Sequence, residues 1–224
     1  MRLLLIRHGQ TPSNIDGLLD TTIPGPSLTE LGQSQAAALP EAIAHERVDA
    51  IYVSRMQRTQ LTAAPLAAAR GLEPQVRDGL HEISAGSLEM LNDSGSHESY
   101  MTTVFSWGFG ELDVTMPGGP NGHDFFARFD TAIEQIAADS AEAGHETVVV
   151  VSHGAAIRLW ASTRAHNLEP EFGSKNPLQN TGLVLLTGDP DSGWFAETWN
   201  SQPLAGPAFA DSHDDDPTGE LVEA

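Results

Sequence analysis

An α/β architecture, a three-layer αβα sandwich around a mostly parallel central sheet, is the fold this sequence predicts, and three observations predict it. Continuous apolar runs rich in β-branched residues recur at Arg2 to Ile6, Val48 to Val53 and Thr147 to Val151, the pattern of strands buried on both faces. Helical apolar spacing fills the intervals between them. Strands that alternate with helices need crossover connections, and crossovers cover a parallel sheet on both sides.

Taken in order, the first strand is followed by a helical pattern from Thr29 to His45, then the second strand, then a helix from Gln57 to Ala69. A longer helix runs from Asp124 to Ala143, with Phe125, Phe126, Phe129, Ile133 and Ile136 on one stripe, and leads into the third strand. Gly182 to Thr187 and Trp194 to Trp199 read as an edge hairpin around the turn residues Gly188 to Gly193. The stretch 91–122 shows no clear period and contains Pro-Gly-Gly-Pro, so it reads as an insertion or lid within a single domain spanning 1–204. The acidic tail 205–224, with Asp214, Asp215 and Asp216, is expected to be disordered and outside the core.

Composition narrows the chemistry. The 224 residues carry 31 acidic against 11 basic side chains, a net charge of −20, and Lys175 is the only lysine. That field disfavours nucleic acid and anionic membranes, which are bound through clustered cations. Any anionic substrate must therefore be met by a few arginines gathered in one place. No cysteine is present, which excludes disulfides, thiolate metal sites and a cysteine nucleophile. The apolar run Leu3 to Ile6 stops at Arg7, far short of the roughly 7–15 residues of a signal peptide's apolar segment, so a cytoplasmic location is expected.

Three segments carry chemistry, and each follows a predicted strand. Arg7-His8-Gly9 ends the first, with Asn14 close behind; Ser54 to Ala63, containing Arg58, follows the second; Ser152-His153-Gly154 ends the third. In a parallel sheet, ligands bind outside the carboxyl ends of the strands, where all three segments would meet. An arginine fork matches phosphate oxygens, and a neutral imidazole can attack phosphorus when its other nitrogen is held. Arg58 would lie near a helix N-terminus, where free N–H groups favour an anion. Each residue alone would be read as a packed or solvated side chain. Two histidine-glycine pairs at two strand ends argue otherwise.

These motifs resemble the histidine phosphatase superfamily, also called the phosphoglycerate mutase-like family. Arg7-His8-Gly9 with Asn14 is similar to its first signature, and Leu28-Thr29-Glu30-Leu31-Gly32-Gln33-Ser34-Gln35-Ala36 to its second. Ser54 to Ala63 is similar to its third, and Ser152-His153-Gly154 to its last. The resemblance implies that His8 is a nucleophile that becomes phosphohistidine. It further implies that Arg7, Arg58 and His153 clamp the phosphoryl oxygens with Asn14 and Gly154, and that Glu82 is the general acid. No metal and no cofactor are implied, because two guanidinium groups and a histidine can supply the charge stabilisation that magnesium gives elsewhere.

The implied activity is hydrolysis of a small phosphomonoester, with no nucleic-acid or membrane partner and with a homodimer left open. The alternatives are a phosphoglycerate mutase and a non-catalytic phosphate-binding module. Mutases need extra cations for a second anionic group, and Leu88 to Ala127 holds no Lys or Arg. The family's Gly-Glu-Ser after the Pro-Gly-Gly turn is replaced by Pro120-Asn121-Gly122-His123. Phe105, Trp107 and Phe109 serve either as anchors for the insertion or as pocket lining, and anchoring is the default use of aromatics. The other histidines, at 45, 81, 97, 123, 145, 166 and 213, read as surface or packing residues.

Overall fold

The computed structural model describes residues 1–204, so the expected disorder of 205–224 falls outside the described residues. The chain runs β1 (Arg2–Arg7), α1 (Pro12–Ile15), α2 (Glu30–Ala42), β2 (Ala50–Val53), α3 (Gln57–Arg70) and β3 (Gln75–Val76). It continues through α4 (Ser94–Ser106), α5 (Gly122–Ala143), β4 (Thr147–Ser152), α6 (Gly154–Arg164) and α7 (Phe172–Lys175). It ends with β5 (Leu183–Asp189), β6 (Gly193–Trp199) and β7 (Gln202–Pro203). Among the described residues these strands form one sheet in the order β3-β2-β4-β1-β5-β6-β7.

The three layers follow from strand alternation. Leu3, Leu5, Tyr52, Val148, Val150, Val184 and Leu186 face one way and pack with α4, α5 and α6. Leu4, Ile6, Ile51, Val53, Val149, Val151, Leu183 and Leu185 face the other way and pack with α2 and α3. Successive side chains of a strand point to opposite faces, so a continuous apolar run is what a sheet with two covered faces requires. The four strands β3, β2, β4 and β1 are parallel, while β5, β6 and β7 extend the sheet in antiparallel fashion. The predicted hairpin is therefore present, but β7 adds one further pairing beyond it.

Two helices carried no strong signal in the sequence. In α4, Asp93 caps the N-terminus and Tyr100, Met101, Val104 and Phe105 are buried, so the middle of the 91–122 stretch is helical and joins the core. Its first turn, Ser-Gly-Ser-His, is built from poor helix formers, which hides the period. In α6 nine residues from Gly154 to Ser162 are buried, Arg158 and Ser162 among them, so the helix is enclosed on every side and shows no stripe. Trp107 is 1% exposed and donates its indole N–H to Val114 O at 2.8 Å, an anchoring use, whereas Phe109 is exposed.

What matters for the site is the register. Arg7 pairs with Ser152 and Val53 with Val151, so β1, β4 and β2 finish level with one another. The chain leaves β1 and β2 through α2 and α3 on one face of the sheet, and reaches and leaves β4 through α5 and α6 on the other. The gap between β1 and β4 is thus the topological switch point, where helices diverge and leave a crevice at the strand ends.

Candidate active site

His8 and His153 are the first residues beyond β1 and β4, and their rings stand 5.3 Å apart centroid to centroid, close to the spacing of adjacent strands. Ser54, the first residue beyond β2, lies next to them. All are buried, with His8 2%, His153 0%, Ser54 0%, Arg7 0%, Arg58 3% and Glu82 1% exposed. The structure thus brings together the five residues that the motifs single out as catalytic, although Glu82 lies on a loop remote from the other four in sequence.

Hydrogen bonds fix the tautomer of each histidine. Nδ1 of His8 lies 2.8 Å from Gly9 O, and a carbonyl only accepts, so Nδ1 carries the proton and Nε2 keeps its lone pair. No group among the described residues hydrogen-bonds that Nε2. His153 is arranged the other way. Its Nδ1 accepts from Arg58 Nε at 3.3 Å, and its Nε2 then donates to Ser54 Oγ at 2.8 Å. Burial holds both histidines well below the usual 6.5, and the neighbouring charge of Arg58 adds to the effect. Both are therefore neutral at neutral pH, and only His8 has a lone pair to offer.

The loop after His8 is held by close approach. A Cβ on Gly9 would meet Gly32 O at 2.7 Å, and one on Gly32 would meet Gln10 O at 2.1 Å, so neither position tolerates a side chain. Thr29 caps α2, and Gln35 Oε1 accepts from the Gln10 N–H at 2.9 Å. The second motif of the sequence is thereby explained as a cradle for the first. Asn14 closes a capping box with Thr11 at the start of α1, and its Oδ1 also receives the Asn180 amide at 3.4 Å.

Arg58 enters from the first turn of α3. Nε binds His153, Nη2 donates to Asp20 O at 3.0 Å, and Nη1 is buried with no acceptor among the described residues. Burial lowers this guanidinium from its ordinary value, while Glu82, Asp20 and Glu89 pull it back up. A Cβ on Gly25 would come within 2.6 Å of Nη1, so this end of the guanidinium is packed against the turn at Gly25. Arg7 directs Nη1 to Leu178 O at 2.7 Å.

Glu82 occupies the N-terminus of α6. Its Oε1 accepts from the N–H groups of Ile83 and Ala156, each at 2.9 Å, and its Oε2 accepts from Ala155 at 3.2 Å. A carboxylate offers about four lone-pair directions, so Oε2 is the oxygen with room for a proton. Gly154 is the first residue of the same helix, with His153 as its N-cap. The arrangement supplies an imidazole nitrogen with a lone pair, a cationic fork, a helix N-terminus and a carboxyl group at one strand end.

A family model described as histidine phosphatase superfamily (branch 1) matches residues 3–202. The chain belongs to the histidine phosphatase superfamily. The chain is 39% identical over 215 residues to the PE-PGRS family protein PE_PGRS11 of Mycobacterium tuberculosis, a match covering 91% of the chain but only 37% of that protein. It is 31% identical to phosphoserine phosphatase 1 of Hydrogenobacter thermophilus over 162 residues, covering 70% of the chain and 73% of that enzyme. The solved native structure of mycobacterial glucosyl-3-phosphoglycerate phosphatase superposes with a TM-score of 0.74 at 25% identity, covering 90% of this chain and 99% of that one.

Several residues around the site were not singled out by sequence reasoning. Arg128, on α5, donates from Nη1 to Gly79 O and His81 O and from Nη2 to Glu82 O, and so holds the loop that carries Glu82. Thr62 accepts the Gly9 N–H at 2.9 Å. His81, read as a surface or packing residue, lies close enough to help depress His153. Only Thr62 falls inside a motif; Arg128 and Asn180 look like ordinary polar residues in one dimension.

Proposed function

We propose that this chain hydrolyses a small phosphomonoester through a phosphohistidine formed at His8 Nε2. The observation that carries the reading is a buried histidine whose Nδ1 is engaged by Gly9 O, leaving Nε2 its lone pair, within reach of the charges of both Arg58 and Arg7. A phosphoryl group bound there would meet the imidazole and both guanidinium charges.

In this reading Arg7, Arg58, Asn14 and the N–H of Gly154 bind the phosphoryl oxygens, and His153 supports them by accepting from Arg58 Nε. His8 Nε2 attacks phosphorus, an N–P bond forms, and the ester P–O bond breaks. Glu82 gives its proton from Oε2 to the departing oxygen. Water then attacks the phosphohistidine, returns a proton to Glu82, and the N–P bond breaks to release phosphate and restore His8. Charge spreads over the equatorial oxygens during each transfer, and the two guanidinium groups stabilise it there. The absence of Lys and Arg from Leu88 to Ala127 supports a monophosphate over a doubly anionic substrate, and hydrolysis over a mutase cycle.

The test is direct. Incubation with a labelled phosphomonoester is expected to give a protein-bound phosphate that is acid-labile and base-stable, as a phosphoramidate is. Vanadate is expected to inhibit, in keeping with a related phosphatase solved with VO3. A chelator is expected to leave the rate unchanged; loss in EDTA restored by a divalent ion would refute the mechanism.

A further inference from the structure

We infer that Asn180, set by a strained turn at Thr181, is a positioning residue for the His8 nucleophile. The inference rests on the phosphohistidine reading and adds to it the device that aims the imidazole.

The segment just before β5 wraps the backbone of the nucleophile loop. Asn180 Nδ2 donates to His8 O at 3.0 Å, and the Thr181 N–H is shared between Arg7 O at 3.1 Å and His8 O at 3.3 Å. From the other side, the Gly9 N–H donates to Thr62 Oγ1 at 2.9 Å. The peptide unit joining His8 to Gly9 is thus clamped at its carbonyl by the turn and at its N–H by α3. The next carbonyl, Gly9 O, is the one that receives Nδ1–H of His8. Rotation of the clamped peptide would carry that acceptor with it and swing Nε2 off the phosphorus line.

The clamp is held at a conformational cost. Thr181 has φ +57°, in the left-handed region, where a β-branched residue is a genuine outlier. Backbone strain of this kind persists where surrounding structure over-determines it, and it gathers at functional sites. The surroundings are visible here. Arg7 N–H donates to Gly182 O, Arg7 Nη1 to Leu178 O, and Asn200 braces the turn through Gln179 N–H and Pro177 O. Asn180 touches one residue of the proposed phosphate clamp, and does so at Asn14 Oδ1, an acceptor that cannot meet a phosphate oxygen, so the turn acts on the direction of attack more than on phosphate affinity.

The experiment measures single-turnover phosphorylation of His8 by p-nitrophenyl phosphate, inhibition by inorganic phosphate, and melting temperature in wild type, N180A, N180D and T181G. A misplaced reacting group can cost up to about 10²-fold in rate. Phosphorylation in N180A and N180D is expected to slow about tenfold or more, with phosphate inhibition within about threefold of wild type. Glycine takes the turn's φ without strain but holds it less narrowly. T181G is therefore expected to melt higher and phosphorylate more slowly, a split that a purely structural role would not produce. Wild-type phosphorylation rates in the Asn180 variants, or rate losses matched by equal losses of phosphate affinity, would overturn the inference while leaving the phosphohistidine reading intact. T181G that melts higher with an unchanged rate would remove the strained turn from it. Failure of the wild type to form any phosphoenzyme would take down both readings together.

Discussion

His8 and His153 occupy equivalent places, each one residue beyond a central parallel strand and each followed by glycine, yet their surroundings make them chemically unequal. His8 spends a proton on a backbone carbonyl and keeps a lone pair, whereas His153 is held at both nitrogens by Arg58 and Ser54. Burial makes both neutral. Neighbours at hydrogen-bond distance, rather than burial or position in the fold, thus divide a histidine that keeps an open lone pair from one that does not.

The largest expected effect tests that division head on. His8→Ala should lose turnover by on the order of 10⁴-fold or more, as removal of a covalent nucleophile does. His153→Ala should fall by about 10²–10³-fold, the loss typical of disabling one donor, here Arg58 deprived of the acceptor of its Nε–H, and should still form the labelled phosphoenzyme. Label retained in the His8 variant and lost in the His153 variant would reverse the assignment.

Next comes the proton donor. Glu82→Gln should slow alkyl phosphates by about 10²–10⁴-fold but p-nitrophenyl phosphate far less, because p-nitrophenolate departs without a proton. Single-turnover rates are needed, since phosphoenzyme hydrolysis can mask the difference. Equal losses on both substrates would assign proton donation to another group and point back to His153.

A smaller effect is expected at Ser54, which distinguishes the second histidine from the first. Ser54→Ala removes the acceptor of His153 Nε2–H and should cost roughly tenfold in kcat, the equivalent of one ordinary net hydrogen bond, with the His8 label unchanged. An undiminished rate would show that the Ser54 contact does not hold His153 in its working tautomer.

The mildest effects are those of pH. His8 must be neutral to attack, and its lowered basicity places the acid limb of kcat/KM below 6.5; a limb at 6.5 would mean a solvated imidazole. The same shifts act on stability. The unfolded chain binds protons on His8, His81 and His153 near 6.5, while the folded chain resists them, His81 down to about 4. With more protons bound in the unfolded state, stability rises with pH, so it falls as pH drops from 6.5 towards 4. The melting temperature should decline across that window, and His81→Gln should flatten the decline slightly; an identical slope in the variant would exclude His81 as a contributor.

The legible part of this molecule was its strands and the residues attached to their ends. Leu3 to Ile6 and Val148 to Val151 are apolar without interruption because both faces of the sheet are covered, and that leaves a mark no other element imitates. Helix α5 was readable because one stripe is buried and the rest is wet. Helix α6 was not, since burial all round erases the contrast that periodicity depends on. Helix α4 was hidden by a polar first turn, although its last turns are core. Glu82 could be singled out only through its resemblance to a family motif; in isolation it is one acid among 31 acidic side chains.

By itself the sequence determined which strands are buried, which histidines and arginines stand at strand ends, and that cations are too scarce to be spread over a surface. Those properties are local, carried by runs of a few residues and by composition. The tertiary structure alone decided which histidine keeps a lone pair, which backbone N–H groups meet each oxygen of Glu82, and where Asn180, Thr62 and Arg128 meet the loops of His8 and Glu82. Most of these depend on contacts between residues 46 to 172 positions apart, such as Arg128 with Glu82 and Asn180 with His8. A hydrogen bond is set by distance and direction in space, and a linear pattern specifies neither until the strands have come into register.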